Sequence, residues 1–258
     1  CEDMGQTAVM LNGEKLELGK GDTFDPAFLT ADVLKKVRVG NNELVFEIYY
    51  YQPQLVYDVF NGVYYEHSDG TESLINCLSY RTNIEAVYLR GDFGVHTTGF
   101  TPDKRNTLVA KPEFAIERAQ KQVRLNALPE SGYPFFGGSM TVKTKVHARG
   151  DETTLRLTGR YMLAKVRING GETRTIMFGD TADVSGMLHA GENDVEIALI
   201  FGYRNVFGPF HHAPEVEPMW VSPDLFAGYG HWDENGKSEL YTPNYGFTWF
   251  GLAGAELA

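Results

Sequence analysis

The sequence predicts an all-β protein built as an antiparallel β-sandwich of the jelly-roll type. Two observations support this prediction. Short runs of alternating apolar and polar residues recur along the chain, with Gly, Asn, Asp and Pro between them, which is typical of short antiparallel strands. One segment of this kind also occurs twice: residues 30–33 and residues 181–184 both read Thr-Ala-Asp-Val, displaced by 151 positions. Two related β units are therefore expected in one chain.

Each copy of this segment lies between two predicted strands. A strand ending in Asn-Gly precedes it, at Asn12 in the first copy and at Asn169 in the second, and an alternating run follows it, at residues 44–48 and 195–199. Successive side chains of a strand point to opposite faces, so each alternating run predicts a half-buried strand. The Asn-Gly turn is further from the Thr in the first copy, which places the extra residues in a connection.

The first predicted domain covers residues 1–94 and is a partial β-sandwich. The Asn-Gly strand begins only a few residues into the chain, so this sandwich is interpreted as truncated and the chain as a fragment of a longer protein. The first copy of the duplicated segment is followed by apolar and aromatic runs that predict further strands, at residues 56–60, 63–65, 73–78 and 86–89. A Pro-rich and Gly-rich stretch, residues 95–113, marks the domain boundary.

The second predicted domain covers residues 95–258 and is a complete β-sandwich. One short helix is predicted from Glu113 to Leu128, because apolar residues recur there at helical spacing and Pro129 follows. Beyond this helix, alternating runs predict strands around residues 140–146 and 155–157, then the second copy of the duplicated segment, and an apolar closing strand at residues 245–252. The fold contains at most this one helix.

Composition and charge exclude several classes of partner. The formal net charge of −11 disfavours nucleic acid and anionic membrane surfaces, which both require a basic footprint. No apolar run is long enough to span a bilayer. Two cysteines, Cys1 and Cys77, are too few for a disulfide scaffold and leave the compartment open, with a secreted or cell-surface location favoured. Neutral partners fit this composition best.

A set of local sequences resembles a known region of large enzymes. The chain is similar to the C-terminal galactose-binding-like β-sandwich region of large bacterial glycoside hydrolases, the family-2-type sugar-binding and α-L-rhamnosidase-like group. The similar segments are residues 74–80, 89–94, 131–138, 169–193, 204–212 and 221–223. This resemblance implies a non-catalytic accessory region that binds polysaccharide or oligosaccharide and whose partner is the catalytic domain of the parent chain. It requires no cofactor.

The candidate sugar site lies in the long connection from Gly202 to Thr242. Sugar rings have apolar faces that stack on aromatic side chains, and their hydroxyls need fixed polar partners. This connection contains both kinds of residue. The predicted ligand-binding residues are Trp220, Trp232, Tyr229, Arg204, His211 and His212.

Three alternatives stay open for this connection. Its aromatic residues could pack only against one another, in a purely structural interdomain module without a ligand. It could carry the site of a small glycoside hydrolase or lyase, with Glu215, Glu217 and Asp224 as the catalytic carboxylates. The adjacent histidines could suggest a transition metal, but neighbouring side chains on a strand point apart. Separately, a structural calcium ion could bind the oxygen ligands of Asp92, Asp180 or Glu256.

Overall fold

A computed structural model describes residues 1–21, 25–60, 78–84, 86–103, 107–208, 210–211 and 242–258. Within these residues the secondary structure is almost entirely antiparallel β-sheet, which confirms the all-β prediction. The chain forms two compact units, Cys1–Gly91 and Asp92–Ala258. No helix in the described residues is long and apolar enough to cross a lipid bilayer.

The first unit has a small sheet and one helix. Its elements are β1 (Gln6–Leu11), β2 (Glu14–Lys15), β3 (Gly19–Lys20), β4 (Leu29–Thr30), β5 (Leu44–Ile48) and α1 (Gln54–Phe60). The central strand β1 pairs antiparallel with β2 and β5, and β3 pairs with β4. Val9, Leu11 and Leu16 are buried beneath this sheet. The described part of this unit therefore has only a small apolar core.

The second unit contains more strands and the larger core. Its elements are β6 (Phe93–Thr97), β7 (Thr101–Asp103), β8 (Thr107–Ala110), β9 (Phe114–Arg118), β10 (Gly138–Ala148), β11 (Thr154–Arg160), β12 (Leu163–Ile168), β13 (Thr173–Ile176), β14 (Thr181–Asp183), β15 (Gly191–Phe201), α2 (Arg204–Phe207), β16 (Tyr245–Thr248) and β17 (Gly251–Leu257). A 3-10 turn at Pro129–Ser131 precedes β10.

Two sheets of the second unit form the sandwich. One sheet has the strand order β10-β15-β12-β13 and the other has the order β14-β11-β17. Alternate residues of β15 are buried, as in Val195, Ile197 and Leu199, and they share one core with Leu157 of β11 and Leu252 of β17. This pattern is what a sandwich requires, because each sheet has one face toward the core and one toward solvent.

Besides the sandwich core, the second unit contains a cluster of packed aromatic side chains. The strands β7, β8 and β16 form a three-stranded sheet, and β6 pairs with β9 in a separate two-stranded ribbon. Phe114 of β9 lies edge-on against Phe135, with ring centroids 5.2 Å apart, and Phe135 lies edge-on against Phe247 of β16 at 5.0 Å. Edge-to-face pairs of this kind add stability beyond the burial of area. The aromatic contacts thus fix β9 beside β16.

The two Thr-Ala-Asp-Val segments lie in ribbons with the same local geometry. The first ribbon is residues 6–48 and the second ribbon is residues 163–201. Leu11 pairs with Leu44 in the first, and Ile168 pairs with Val195 in the second. Asn12 and Asn169 both have left-handed backbone angles, with φ of 54° and 51°, a conformation that asparagine tolerates in tight turns.

The structure corrects the prediction of a helix from Glu113 to Leu128. Residues Phe114–Arg118 form strand β9 instead, paired with β6 so that Thr97 lies opposite Phe114. Ile116, which the helical spacing required to be inward, is 56% exposed. The pairing with a distant strand and the aromatic packing of Phe114 outweigh a weak local periodicity.

Residues 56–60 were predicted as a strand and form part of a helix. The alternation of apolar and polar residues predicted a strand, but Gln54–Phe60 is helix α1. Val56 and Val59 are both buried, three residues apart, which places them on one helical face. Pro53 precedes the helix, and its carbonyl accepts a hydrogen bond from Val56 N–H at 3.0 Å.

Four further expectations were wrong or fall outside the described residues. The described residues contain two short α-helices, α1 and α2, rather than at most one. Residues 86–89 are not a strand, and the closing run divides into β16 and β17, since a loop separates Thr248 from Gly251. The predicted strand at residues 63–65 lies outside the described residues, as does the strand predicted at 73–78 except for Leu78, which is not in a strand.

Candidate functional site

Most of the predicted sugar-binding residues lie outside the part of the chain that the structure describes. These are Trp220, Tyr229, Trp232 and His212, together with the alternative catalytic carboxylates Glu215, Glu217 and Asp224. Arg204 and His211 are described. The predicted site is therefore visible only at the ends of the connection that carries it.

His211 fastens the two ends of this connection. Its ring nitrogen Nδ1 lies 3.0 Å from the Thr242 carbonyl oxygen and 3.2 Å from that of Asn244. Both partners are acceptors, so Nδ1 carries the proton and donates to them. The backbone N–H of Thr242 donates in return to the His211 carbonyl at 2.9 Å. These bonds give His211 a structural role where the connection leaves the sheet and returns.

Arg204 is the first residue of helix α2. The next residue, Asn205, connects this helix to β16 by hydrogen bonds. Asn205 is buried, donates from Nδ2 to the Thr248 carbonyl at 2.8 Å and accepts from Thr248 N–H at 2.9 Å. The Arg204 side chain is exposed to solvent. Nearby protein atoms still remove part of its hydration, and this desolvation lowers its pKa below the ordinary value. An arginine stays charged in either environment, so Arg204 presents a cation beside a rigidly held turn.

The three oxygen ligands proposed for calcium do not come together. Asp180 forms an ion pair with Arg156, with 3.3 Å between its Oδ2 and the arginine Nε. Glu256 lies opposite the same arginine in the pairing of β17 with β11, and Asp92 directly precedes β6. Across the described ranges, no group of three or more His, Cys, Asp or Glu side chains is arranged to hold a metal ion.

A cleft in the second unit brings together polar side chains that the sequence did not single out. Its volume is about 400 Å³, within the range of roughly 300–1,000 Å³ found for small-molecule sites. Strands β6 and β9 form one wall, and residues 120–132 form the other. The side chains that line it with hydrogen-bonding groups are His96, Thr97, Glu117, Gln120, Gln122, Arg124, Glu130 and Ser131.

Backbone and side-chain hydrogen bonds hold the walls of this cleft in place. Val95 N–H donates to the Gly132 carbonyl at 2.9 Å, which joins β6 to the opposite wall. Arg124 N–H donates to the Ser131 hydroxyl at 3.2 Å, and Gln120 Nε2 donates to Glu117 Oε1 at 3.0 Å. The cleft is therefore formed before any ligand arrives, which lowers the entropic cost of binding.

Two groups in the cleft have polar atoms available to a ligand. The Arg124 side chain is exposed and makes no hydrogen bond or ion pair with another described residue. Thr97 is 7% exposed, and its hydroxyl has no hydrogen-bond partner among the described residues. A buried hydroxyl without a partner costs free energy, so it favours a bound water or a ligand group. Both groups can satisfy hydroxyls of a polar ligand.

An aromatic ring completes the lining. Phe100 lies in the cleft and is also in edge contact with Phe247, with 5.7 Å between ring centroids. Because Phe247 is fully buried, the Phe100 ring is held from behind. The cleft thus combines one apolar ring with several donors and acceptors, the pair of features expected of a sugar site.

The sequence contains one signal for this cleft, an alternation of apolar and polar residues from Gln122 to Leu125. Val123 and Leu125 pack against the sandwich core, whereas Gln122 and Arg124 line the cleft. This alternation is the period of an extended chain. The helical spacing of Ile116, Ala119 and Val123 coincides with this alternation and predicts a helix over the same residues.

No protein-family model and no curated protein matches the chain. Among solved structures, it is similar in part to a rhamnosidase from Novosphingobium sp. PP1Y, with 18% identity and a TM-score of 0.31 over 69% of this chain and 17% of that one. It is similar to a β-D-glucuronidase from Dictyoglomus thermophilum, with 16% identity and a TM-score of 0.26 over 52% and 23% of the two chains. A β-glucuronidase from Ruminococcus gnavus gives 16% identity and a TM-score of 0.24 over 46% and 22%. The chain spans less than a quarter of the length of each of these glycoside hydrolases.

Proposed function

We propose that the chain is a non-catalytic carbohydrate-binding region of a multidomain glycoside hydrolase, and that the cleft between β6, β9 and residues 120–132 binds the sugar. Its partner would be the catalytic domain of the parent chain, which it would supply with polysaccharide. The observation that carries this proposal is the lining of the cleft. Exposed amide and guanidinium groups stand beside a fixed aromatic ring, and this combination suits the hydroxyls and the apolar face of a sugar.

The charges of the lining favour a neutral sugar over an acidic one. Glu117 and Glu130 contribute two carboxylates and Arg124 contributes one guanidinium, within a chain whose formal net charge is −11. A uronic acid would meet more negative than positive charge in the cleft, and like charges repel. We therefore expect neutral hexose or deoxyhexose polymers to bind better than polyuronates. The affinity will be weak, because one ring and a few hydrogen bonds offset only part of the cost of association.

The test is isothermal calorimetry and affinity electrophoresis of the full chain against soluble glucomannan, xyloglucan, dextran and polygalacturonate. We expect binding to at least one neutral polymer and a dissociation constant at least about tenfold higher for Arg124→Gln, because a charge-assisted hydrogen bond is lost. Arg118→Gln is the matched control, since Arg118 is an exposed arginine at the end of β9 that does not line the cleft. This control should bind like the unchanged protein.

Two results would contradict the proposal. The absence of binding to every polymer of the panel would remove the carbohydrate function. Binding that Arg124→Gln leaves unchanged would place the sugar elsewhere. Equal thermal unfolding temperatures for both variants and the unchanged protein would show that any loss of binding reflects the cleft and not the fold.

A purely structural interdomain role is the second candidate, and one observation favours it. The first unit exposes several large apolar side chains, Leu34 at 79%, Val39 at 105% and Ile84 at 78% among them. Exposed apolar surface marks an interaction site when it is contiguous. This role predicts concentration-dependent self-association of the chain in sedimentation velocity, with no heat on titration with any glycan. A monomer that binds glycan would rule it out as the sole function.

A further inference from the structure

A group of exposed tyrosines lies in the first unit, and none of them lines the cleft. Tyr49, Tyr50, Tyr51 and Tyr57 are 80%, 62%, 57% and 41% exposed. We call these four residues the tyrosine surface. Tyrosines usually bury part of their ring, so four exposed rings within nine residues of sequence require an explanation that the described part of this unit does not supply.

The backbone that carries the tyrosine surface is firmly anchored. Thr82 is 6% exposed, and its hydroxyl accepts from Tyr51 N–H at 3.0 Å. The same hydroxyl lies 3.0 Å from the Tyr51 carbonyl oxygen and 3.4 Å from that of Tyr49. Gln52 extends this anchor, because its side chain donates to the Thr82 carbonyl and accepts from Arg81 N–H. The segment is thus held by its main chain while its rings face solvent.

Helix α1 supplies the fourth ring to the same surface. Val56 and Val59 are buried at 6% and 1%, which fixes the helix and leaves Tyr57 on its exposed side. The hydroxyl of Tyr50 lies near enough to that of Tyr57 to raise the pKa of Tyr57, chiefly through a side-chain interaction between the two. These two rings therefore share one surface although they belong to different elements.

The segment that carries the tyrosine surface contains no charged residue, although the chain is strongly acidic and Asp58 directly follows it. From Ile48 to Tyr57 the sequence has no Asp, Glu, Lys or Arg, although the chain has 34 acidic and 23 basic residues. Gln52, Gln54 and the phenolic hydroxyls are the polar groups of this stretch. Rings with hydroxyls and no charge match a neutral polyhydroxylated ligand, whose apolar ring faces stack and whose hydroxyls exchange hydrogen bonds.

We propose that the tyrosine surface is a second carbohydrate-binding surface, which takes a neutral polysaccharide by stacking on Tyr50 and Tyr57. It shares the ligand class of the proposed function and rests on it in that respect only, since none of its residues lines the cleft. An exposed surface of this kind suits an extended polymer, whereas the cleft suits one or two sugar units. Together the two sites would raise the avidity for a long chain without new contacts at either site.

The experiment measures each site separately on the full chain. Affinity electrophoresis in soluble glucomannan and in xyloglucan is compared for the unchanged protein, Tyr50→Ala, Tyr57→Ala and Arg124→Gln. We expect each tyrosine variant to retard at least about fivefold less, the loss of one stacked ring, and Tyr50→Phe to bind within about twofold of the unchanged protein because the ring remains. Ile84→Ala is the matched control, an exposed apolar residue of the same unit without a ring, and should have no effect.

The outcomes distinguish this proposal from the proposed function. Unchanged retardation of both tyrosine variants would overturn the second surface, and would leave the cleft intact if Arg124→Gln still loses binding. Loss in the tyrosine variants with Arg124→Gln unaffected would support the surface and remove the cleft. A protein partner is the competing occupant, and a tyrosine variant that abolishes self-association in sedimentation velocity without changing glycan binding would also overturn the proposal.

Discussion

The first and second ribbons form nearly the same hydrogen bonds in very different surroundings. Asn42 Nδ2 donates to the carbonyls of Arg38 and Gly40 at 2.8 and 3.0 Å. Asn193 Nδ2 donates to those of His189 and Gly191 at the same two distances. In each ribbon the Asn of the Asn-Gly turn donates to this second asparagine, at 2.9 Å in the first and 2.8 Å in the second.

Burial separates the two ribbons. Asn42 is exposed, whereas Asn193 is 1% exposed. Val33 is half-buried, and its counterpart Val184 is fully buried against the sandwich core. The comparison shows that one local sequence can set a network of hydrogen bonds without setting how much that network contributes to stability, because the contribution of a hydrogen bond depends on whether water can replace it.

The largest expected difference between the two ribbons is in the free energy of unfolding when equivalent strand residues are replaced by alanine. Leu199 and Ile48 occupy equivalent positions, 151 residues apart, but Leu199 is fully buried and Ile48 is half-buried. We expect Leu199→Ala to lower the free energy of unfolding by about 3–4 kcal/mol, because it leaves a cavity, and Ile48→Ala by about 1 kcal/mol. Hydrogen exchange of the full chain, followed by mass spectrometry, reports the local opening free energy of each ribbon.

Equal losses for these two variants would break the comparison. They would show that the first ribbon is as well buried in solution as the second. A substitution on the outer face of the second ribbon, Lys165→Ala, is the control, because Lys165 is exposed on β12 and surface changes usually stay within about 0.5 kcal/mol.

The intermediate test removes the central asparagine from each network. The Asn193 side chain is buried, so water cannot readily take its place; Asn193→Ala removes its bonds to the His189 N–H and to the His189 and Gly191 carbonyls, and we expect a loss of about 2–3 kcal/mol. Asn42→Ala breaks the same bonds where water can replace them, so we expect a loss of about 0.5–1 kcal/mol. Urea unfolding combined with hydrogen exchange of both ribbons measures the difference. If Asn42→Ala proved as costly as Asn193→Ala, burial would not be the deciding factor.

The smallest test concerns an acid that differs between the ribbons. Asp183 Oδ1 accepts from the Ser185 hydroxyl at 2.6 Å and from Ser185 N–H at 2.9 Å, and these bonds lower the pKa of Asp183. In the first ribbon Leu34 replaces this serine, and Asp32 Oδ1 accepts from the Leu34 N–H at 3.0 Å, with no hydroxyl at that position to donate a second bond. We expect Ser185→Ala to raise the pKa of Asp183, as measured by NMR titration of its carboxyl group.

The sign of the pH effect follows from the direction of this shift. A carboxyl whose pKa is lower in the folded state adds stability above its unfolded pKa of about 3.9, and that stability is lost as the pH falls through the folded pKa. The unchanged protein should therefore lose more unfolding free energy than Ser185→Ala between about pH 5 and pH 3. Identical pH profiles would show that the serine bond is not formed in solution.

Some expectations for the fold were met and others failed for identifiable reasons. The strands β5, β10, β11 and β15 follow runs of strict alternation, which is a local signal of a half-buried strand. Strand β9 was predicted as part of a helix and helix α1 as a strand, because elements of five and seven residues contain too few periods to separate the two types. The pairing of β9 with β6 and the burial of Val56 and Val59 decided these cases.

The candidate cleft could not be predicted, because its two walls come from segments whose contact depends on the fold. Gln122 and Arg124 carry a polar alternation in the sequence, but tertiary contacts such as the hydrogen bond between Val95 and Gly132 bring β6 across from them. The sequence supplies the hydrogen-bonding side chains and the aromatic rings of the proposed binding residues. The sequence does not show which of these side chains line one common site.

The sequence by itself determined the all-β class and the paired ribbons with their Asn-Gly turns, because these depend on short-range geometry. An asparagine with φ near 50° and a strand of period two are specified by a few neighbouring residues. Tertiary structure alone decided which ribbon is buried, which segments form the cleft and which tyrosines stay exposed. The physical reason is that burial depends on what packs against a face, and a local pattern carries no information about its distant partner.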